Sequence, residues 1–487
     1  VTSVVMGNCG FTVAPIRRGE QSFVTSNLER AEDIPAEALA AGLQWDWETF
    51  PEYMDAVDNA PKAINYVANV GHSALRTWAM GERALQEPAN EDDIRIMCRT
   101  LREALEAGAL GFTTSRTSFH MRADDRPVAS VAASWSEVQQ LVGVLAEQQA
   151  GPFELAQEAV LLPGSDPAER ADFFHRLTKL AVDTRVGVTF GLPPVAIDEQ
   201  LDMMDAAAAA GGNMFGQCHS RGISVALSFQ TNLPFDALPE WQPIRSLPRD
   251  DQLRALRDPC VRASLVRAAS DPSRYKVGVG GEPRPPRYDI MTVLKDPTGP
   301  NRTVAAIAAE LGKDPVDVII DCAVASNLQQ FFLQPLYDIR DDELLKLMRH
   351  PRSIMTFSDS GAHVGQITDA SIFTYLLAYW VRQRREFSLE EAIRMITSVP
   401  ARAWRFADRG LVREGLIADL NIFDPDVIGP CLPTVANDLP GGSRRLDQRA
   451  TGIAATVVGG VTTLRDGLPT GAMPGRLLRR RGGLIGA

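Results

Sequence analysis

The sequence predicts an α/β fold built on a parallel sheet, with a small β module following it at the C-terminal end. Three observations predict it. Before residue 220, short apolar runs alternate with longer segments of helical period, the pattern of repeated β/α units. A proline-broken stretch at about 229–301 then interrupts that rhythm. After Gly410 the texture changes to β-branched runs separated by Gly and Pro, which are sheet signals without intervening helices.

Taken in order, the apolar runs predict strands at 1–6, 64–70, 109–115, 153–157, 186–192 and 214–219, and a later one at 353–359. Between the second and third, Ile94, Met97, Leu101 and Leu105 recur at helical spacing and Gly108 supplies a stop, so 92–108 is a helix. Similar amphipathic segments occupy 136–149, 168–183 and 197–210. Alternation of this kind fits either an open doubly wound sheet or a closed (β/α)8 barrel. The prolines at 234, 239, 243, 248, 259, 283, 285 and 286 mark an insertion. Helical period returns at 304–311, 315–325 and 342–349, and again at 370–384 and 389–397. Runs at 416–424 and 452–464, broken by Gly459-Gly460 and followed by Asp466-Gly467, predict the terminal sheet.

Composition excludes several function classes. The chain has 487 residues, and Lys+Arg 50 against Asp+Glu 61 leaves a net charge of −11, without the clustered positive charge that nucleic-acid binding requires. One basic cluster, Arg476, Arg479, Arg480 and Arg481, reads as a solvated tail. Six cysteines spread thinly over the chain do not form a secreted disulfide framework, which points to a reducing, cytoplasmic compartment. No apolar run approaches the roughly 18 residues of a membrane span, and residues 1–6 lack the sections of a signal peptide. The chain opens inside an apolar β-like run without an initiator Met, so residues upstream of Val1 are expected to belong to the same fold.

Active sites of parallel α/β folds lie at the carboxyl ends of strands, and four polar clusters follow expected strands. Gly7-Asn8-Cys9-Gly10 puts a cysteine where a thiolate can meet a metal or a carbonyl; the alternative is a small residue in a tight turn. Phe357-Ser-Asp359-Ser-Gly-Ala-His363 puts Asp359 where a carboxylate can shuttle a proton; the alternative is an Asp that caps the next segment. His363 in the same loop binds substrate or is an ordinary loop histidine. Gly71-His72-Ser-Ala-Leu-Arg76 offers a guanidinium for a carboxylate substrate or a structural pair. Cys218-His219-Ser-Arg221 is the last cluster. Its bland reading is structural. His120, His175 and His350 fall outside the pattern. Phosphate-binding loops, nucleophile elbows, His-Glu-x-x-His and Cys-x-x-Cys are all absent, and Gly278-Val-Gly280-Gly281 lacks the strand-to-helix context of a dinucleotide site.

The sequence resembles the amidohydrolase superfamily and, within it, the D-aminoacylase (N-acyl-D-amino-acid deacylase) group. The resemblance rests on Val4-Val-Met-Gly-Asn-Cys-Gly-Phe-Thr-Val-Ala-Pro15, Gly71-His-Ser-Ala-Leu-Arg76 with Ala79-Met-Gly81, Glu103-Ala-Leu-Glu-Ala-Gly-Ala-Leu-Gly-Phe112, Phe357-Ser-Asp-Ser-Gly-Ala-His363 and Gly410-Leu-Val-Arg-Glu-Gly-Leu-Ile-Ala-Asp-Leu-Asn-Ile-Phe-Asp424. It implies a (β/α)8 TIM-like barrel over 1–411, whose first strand lies upstream and whose insertion spans about 229–301, with a small β-sandwich module at 412–487. It also implies a zinc-activated water that attacks an amide carbonyl of a small-molecule substrate, with Asp359 as general base and acid.

On the same resemblance, Cys9 and Asp359 match the zinc-associated residues, and His219 is a speculative further ligand. One or two zinc ions would depend on a His-x-His pair from the upstream segment. The histidines that the resemblance leads one to expect on the fifth and sixth strands are replaced by Phe153-Glu-Leu-Ala-Gln-Glu158 and Val188-Thr-Phe-Gly-Leu192. Substrate-binding candidates are His72, Arg76, Arg116, Arg221 and His363. Two alternatives stand beside deacylation. One is a barrel that binds a small ligand without hydrolysis; the other is a cyclic-amide hydrolase, for which a lysine would be expected where Thr113-Thr-Ser115 stands.

Overall fold

The computed structural model describes residues 1–156, 158–162, 164–275 and 284–486. The glycine-rich run 278–281, Pro283, and Gln157 at the expected end of a strand lie outside them.

Parallel strands form the centre. β1 (Ser3–Met6) pairs with β2 (Asn65–Ala68), and β3 (Val70–Gly71) continues the path of β2 past Asn69 to pair with β4 (Phe112–Ser115). β5 (Phe153–Ala156), β6 (Gly187–Gly191) and β7 (Asn213–Gln217) follow, each parallel to the one before. The chain then leaves the ring. β8 (Ser224–Ser228), β9 (Thr292–Val293) and β10 (Phe331–Pro335) make a separate antiparallel sheet in the order β8-β10-β9. β11 (Ser353–Ile354) returns to lie parallel beside β7. The result is a barrel of parallel staves with helices outside and a β-rich C-terminal part.

The helices start where the sequence offers caps. Glu91–Glu106 begins at Asn90, whose side chain accepts from the backbone of Asp92 and Asp93, and three acidic residues fill its first turn. Met97, Leu101 and Leu105 on its inner face are buried in the main core with Phe112 and Phe153 from the strands. Burying such side chains contributes about 1.5–3 kcal/mol each, so the 3.6-residue period fixes which face meets the sheet. Pro167–Thr184 starts at Asp166 in the same way.

Several expectations need correction. The strand expected over 353–359 is limited to Ser353–Ile354, because Thr356 turns inward to donate to Gln217 and Phe357 packs against Gly191. The helix expected over 370–384 is present, as one helical path with three hydrogen-bonding patterns: a 3-10 turn, an α segment Ile372–Tyr375 and a π segment Leu376–Gln383. The C-terminal arginines are docked. Arg480 donates to the carbonyls of Leu105, Ala109 and Gln148, and Arg479 reaches Asp55 and the Ala107 carbonyl. Carbonyls left unpaired at helix C-termini attract guanidinium groups, which explains why this run is not a free tail.

A second core, built on Phe235, Trp241, Leu256, Ile320 and Phe332, lies in the segment that contains β8–β10. Leu420–Phe423, Ile453–Val458, Val461–Arg465 and Leu468–Pro469 form a four-stranded antiparallel sheet. Leu478 and Ile485 pack with Trp404 on Val67, Phe215 and Ile354, tying the C-terminal tail to three barrel staves. Among the described residues no helix is long and apolar enough to cross a membrane.

Candidate active site

The turn after β1 carries Cys9 with a positive φ of 60°, flanked by Gly7 and Gly10 that also have positive φ. Gly10 has no alternative: a Cβ there would lie 2.9 Å from Thr114 Cα and 3.0 Å from the Thr113 carbonyl oxygen. The turn is thus pressed flat across the ends of the strands. Asn8 Oδ1 accepts from the Cys9 N–H at 2.7 Å, and Thr113 donates to the Gly7 carbonyl. A non-glycine residue held in this conformation stores strain, a feature that often accompanies functional positions.

The segment after β11 carries Asp359. Its N–H donates to Asp369 Oδ2 at 3.5 Å, and its carbonyl accepts from Ala362. Burial and the neighbouring Asp369 raise the Asp359 carboxyl to about 7. Burial opposes ionisation of Asp369 as well, but His219 and Arg221 hold it below the usual carboxylate range. His219 Nε2 lies 3.1 Å from Asp369 Oδ1, close but misaligned for a hydrogen bond, and Arg221 Nη2 lies 3.7 Å from the same oxygen.

Cys9 and Asp359 share one electrostatic neighbourhood although 350 positions apart in sequence. Burial, then the charges of Glu32, Asp359 and Glu154, push the Cys9 thiol well above its ordinary value. Glu32 is itself raised to about 7, chiefly by burial, and faces His363 Nε2 at 3.7 Å. The His363 N–H also donates to the Glu32 carbonyl, so the two segments lock together. His120 joins from the loop after β4: it contacts Ser115 Oγ at 2.7 Å and lies tilted against Phe11 with ring centroids 5.2 Å apart, and burial followed by His363 lowers it to about 3.

The structure therefore brings together Cys9, Asp359 and His363, and His219 and Arg221 join through Asp369. It does not bring His72, Arg76 or Arg116 into that group. His72 and Arg76 are fully buried against Glu137: Nη1 of Arg76 donates to Oε1 at 2.6 Å and Oε2 at 2.5 Å, while His72 bridges Glu137 and Thr114 at 2.9 and 2.8 Å. Arg116 donates to Glu158 at 2.8 Å and to the Ala133 carbonyl. Glu32, Glu154, Asp369 and His120 were not singled out by sequence. Glu154 carried a local signal, a charged residue inside an otherwise apolar strand; Glu32, at the end of a helix far from any strand, carried none.

The donor set decides whether a metal fits. Among the described residues no group of three or more His, Cys, Asp or Glu side chains is arranged to hold an ion. The fifth and sixth staves offer Glu154 and Thr189 instead of histidine, and Gln217 Nε2 occupies both, at 2.6 Å from Glu154 Oε1 and 3.3 Å from Thr189 Oγ1. The described residues thus do not fit a two-metal centre.

An amidohydrolase family profile matches residues 265–463. An N-acyl-D-glutamate deacylase of Alcaligenes xylosoxydans xylosoxydans is 27% identical over 504 residues, covering 100% of this chain and 82% of that protein. An N-acyl-D-aspartate deacylase of the same organism is 26% identical over 434 residues, covering 87% and 70%. An uncharacterized Mycobacterium tuberculosis protein is 26% identical over 525 residues, covering 98% and 82%. Among solved structures, a D-aminoacylase superposes with a TM-score of 0.60 at 20% identity, over 99% of this chain and 83% of the other. An N-acyl-D-glutamate deacylase from Bordetella bronchiseptica, complexed with zinc and a phosphonate mimic of the tetrahedral intermediate, gives 0.58 at 21% identity, again over 99% and 83%. D-aminoacylase is also described with a binuclear metal centre. These superpositions establish a shared fold.

Proposed function

We propose that this chain, which an amidohydrolase family profile matches over residues 265–463 and which is similar in sequence to a D-aminoacylase, hydrolyses the amide bond of an N-acyl-D-amino acid or a related N-acyl compound, with Asp359 as the proton-transfer group. The observation that carries the reading is the shared neighbourhood of Asp359 and Cys9 at the carboxyl ends of the strands. The deacylase relatives support the reaction class.

In this reading Asp359 accepts a proton from water as its oxygen bonds to the amide carbon. The carbonyl electrons collapse back as the C–N bond breaks, and Asp359 returns the proton to the departing nitrogen. Asp369 fixes Asp359 by accepting its backbone N–H, and is itself fixed by His219 and Arg221. His363 holds the loop that carries Asp359 against Glu32. The thiol of Cys9, held protonated, contributes a weak donor at the same mouth.

The test is a panel of N-acetyl-D-amino acids, their L enantiomers and cyclic ureides, assayed for released amine. Selective release from the D-amino-acid derivatives is expected. Opening of the cyclic compounds alone would overturn the reading.

A further inference from the structure

The interior of the barrel carries a hydrogen-bonded group that the reaction proposed above does not use. Phe153 and Leu155 are buried in the main core, among the side chains of the surrounding helices, so Glu154 between them points to the inside of the barrel. Thr189 is its register partner on β6. Gln217 stands two residues beyond Phe215, the register partner of Thr189 on β7, and so faces the same interior. All three side chains are buried, and the turn Asn8–Gly10 that holds Cys9 packs against β5 beside them.

The Gln217 carboxamide is fully engaged. Nε2 donates to Glu154 Oε1 at 2.6 Å and to Thr189 Oγ1 at 3.3 Å, which uses both of its hydrogens, and Oε1 accepts from Thr356 Oγ1 at 3.1 Å. N–H hydrogens therefore point at the side-chain oxygens of the fifth and sixth staves, where the family resemblance leads one to expect two histidines facing an ion. An amide nitrogen has no free lone pair to offer a cation, and its hydrogens satisfy the same oxygens that a cation would draw on. An ion that entered would leave a buried amide without partners, which is costly. Cys9 and Glu154 would remain as its ligands, fewer than the three of a catalytic zinc site, and among the described residues no third His, Cys, Asp or Glu side chain completes a group with them.

We infer that the Gln217 carboxamide takes the place of a metal ion between the fifth and sixth staves, tying Glu154, Thr189 and Thr356 together through hydrogen bonds, and that the chain takes up no zinc at this position. The inference goes beyond the proposed reaction, and its test reads binding and melting instead of turnover, so each can fail without the other.

The full chain is dialysed against zinc, with EDTA-treated chain as the reference, and zinc per chain is measured by elemental analysis. Cobalt(II) is added in parallel, because a cobalt–thiolate bond gives a charge-transfer absorption that reports an ion on Cys9. The unmutated chain is expected to show no such absorption, a zinc content equal to that of Cys9→Ser, and a melting temperature that neither EDTA nor zinc moves. Glu154→His, Thr189→His and Gln217→Ala in one chain remove the amide and supply two imidazoles beside Cys9. That variant is expected to gain one zinc per chain and the cobalt–thiolate absorption, and to melt at a higher temperature with zinc than without it. One zinc per unmutated chain, with a cobalt–thiolate absorption that Cys9→Ser abolishes, would overturn the inference whether or not the triple variant folds. A folded triple variant that gains no zinc would also count against it, since the amide would then not be what occupies the ion's place.

Discussion

Glu154 on β5 accepts a hydrogen bond from Gln217 Nε2 on β7 at 2.6 Å, and Gln217 Oε1 accepts from Thr356 Oγ1 at 3.1 Å. This polar bridge links β5 and β7 inside the barrel and fixes the start of the segment that carries Asp359. Burial raises the Glu154 carboxyl to about 7 from an ordinary 4.5, although the Gln217 bond works against the rise.

A carboxyl with a raised value makes the folded state hold a proton that the unfolded chain has released. Its contribution to stability is therefore greatest at low pH and is lost as pH rises from about 4.5 to about 7. Glu154→Gln keeps the acceptor for Gln217 and removes the titration. Denaturant melts across that range are expected to show a slope more favourable to high pH, by up to about 1.4 kcal/mol per pH unit. An unchanged slope would mean that Glu154 titrates normally.

The buried triad of His72, Glu137 and Arg76 gives the opposite pH response. Burial, outweighing the attraction of Glu137, lowers His72 below its ordinary 6.5. Burial pushes Glu137 up, but His72 and Arg76 together hold it lower than usual. Both groups therefore stabilise the fold above their unfolded values, and that stability is lost as pH falls below about 6.5 for His72 and below about 4.5 for Glu137. Replacing Glu137 by Gln leaves a buried guanidinium without its counter-charge. A loss of about 3–5 kcal/mol in urea unfolding at neutral pH is expected.

Gly71 tests how tightly the Cys9 turn is seated. A Cβ at this position would lie 2.5 Å from the Gly10 carbonyl oxygen and 2.8 Å from its carbon, both backbone atoms that cannot swing aside. Gly71→Ala is expected to cost about 1–3 kcal/mol and to lift the turn. Faster reaction of Cys9 with a thiol reagent, compared with the unmutated chain, is the second readout.

Much of the barrel was legible because its signals are local. β4 through β7 lie within the apolar runs or one residue beyond them, and the helix 92–108 is found at Glu91–Glu106, since one amphipathic face and one cap decide each. The antiparallel sheet of β8, β9 and β10 was not legible: β8 pairs with a strand about a hundred positions away, and β9 has two residues. Among the candidate residues, the position after a strand marked Cys9, Asp359, His219, Arg221 and His363, and the structure gathers Cys9, Asp359 and His363 directly and His219 and Arg221 through Asp369. Glu32 reaches the site only through tertiary packing. Arg76 shows the converse, a residue in a promising place whose charge is consumed by Glu137 from another helix.

The most direct test of hydrolysis through Asp359 is the rate of amine release from an N-acetyl-D-amino acid by the unmutated chain and by Asp359→Asn. The substitution keeps the shape and the backbone N–H bonded to Asp369 but cannot cycle a proton. A loss of about 10²–10⁴-fold in kcat with an unchanged melting temperature is the predicted result; full activity in the variant would contradict the account.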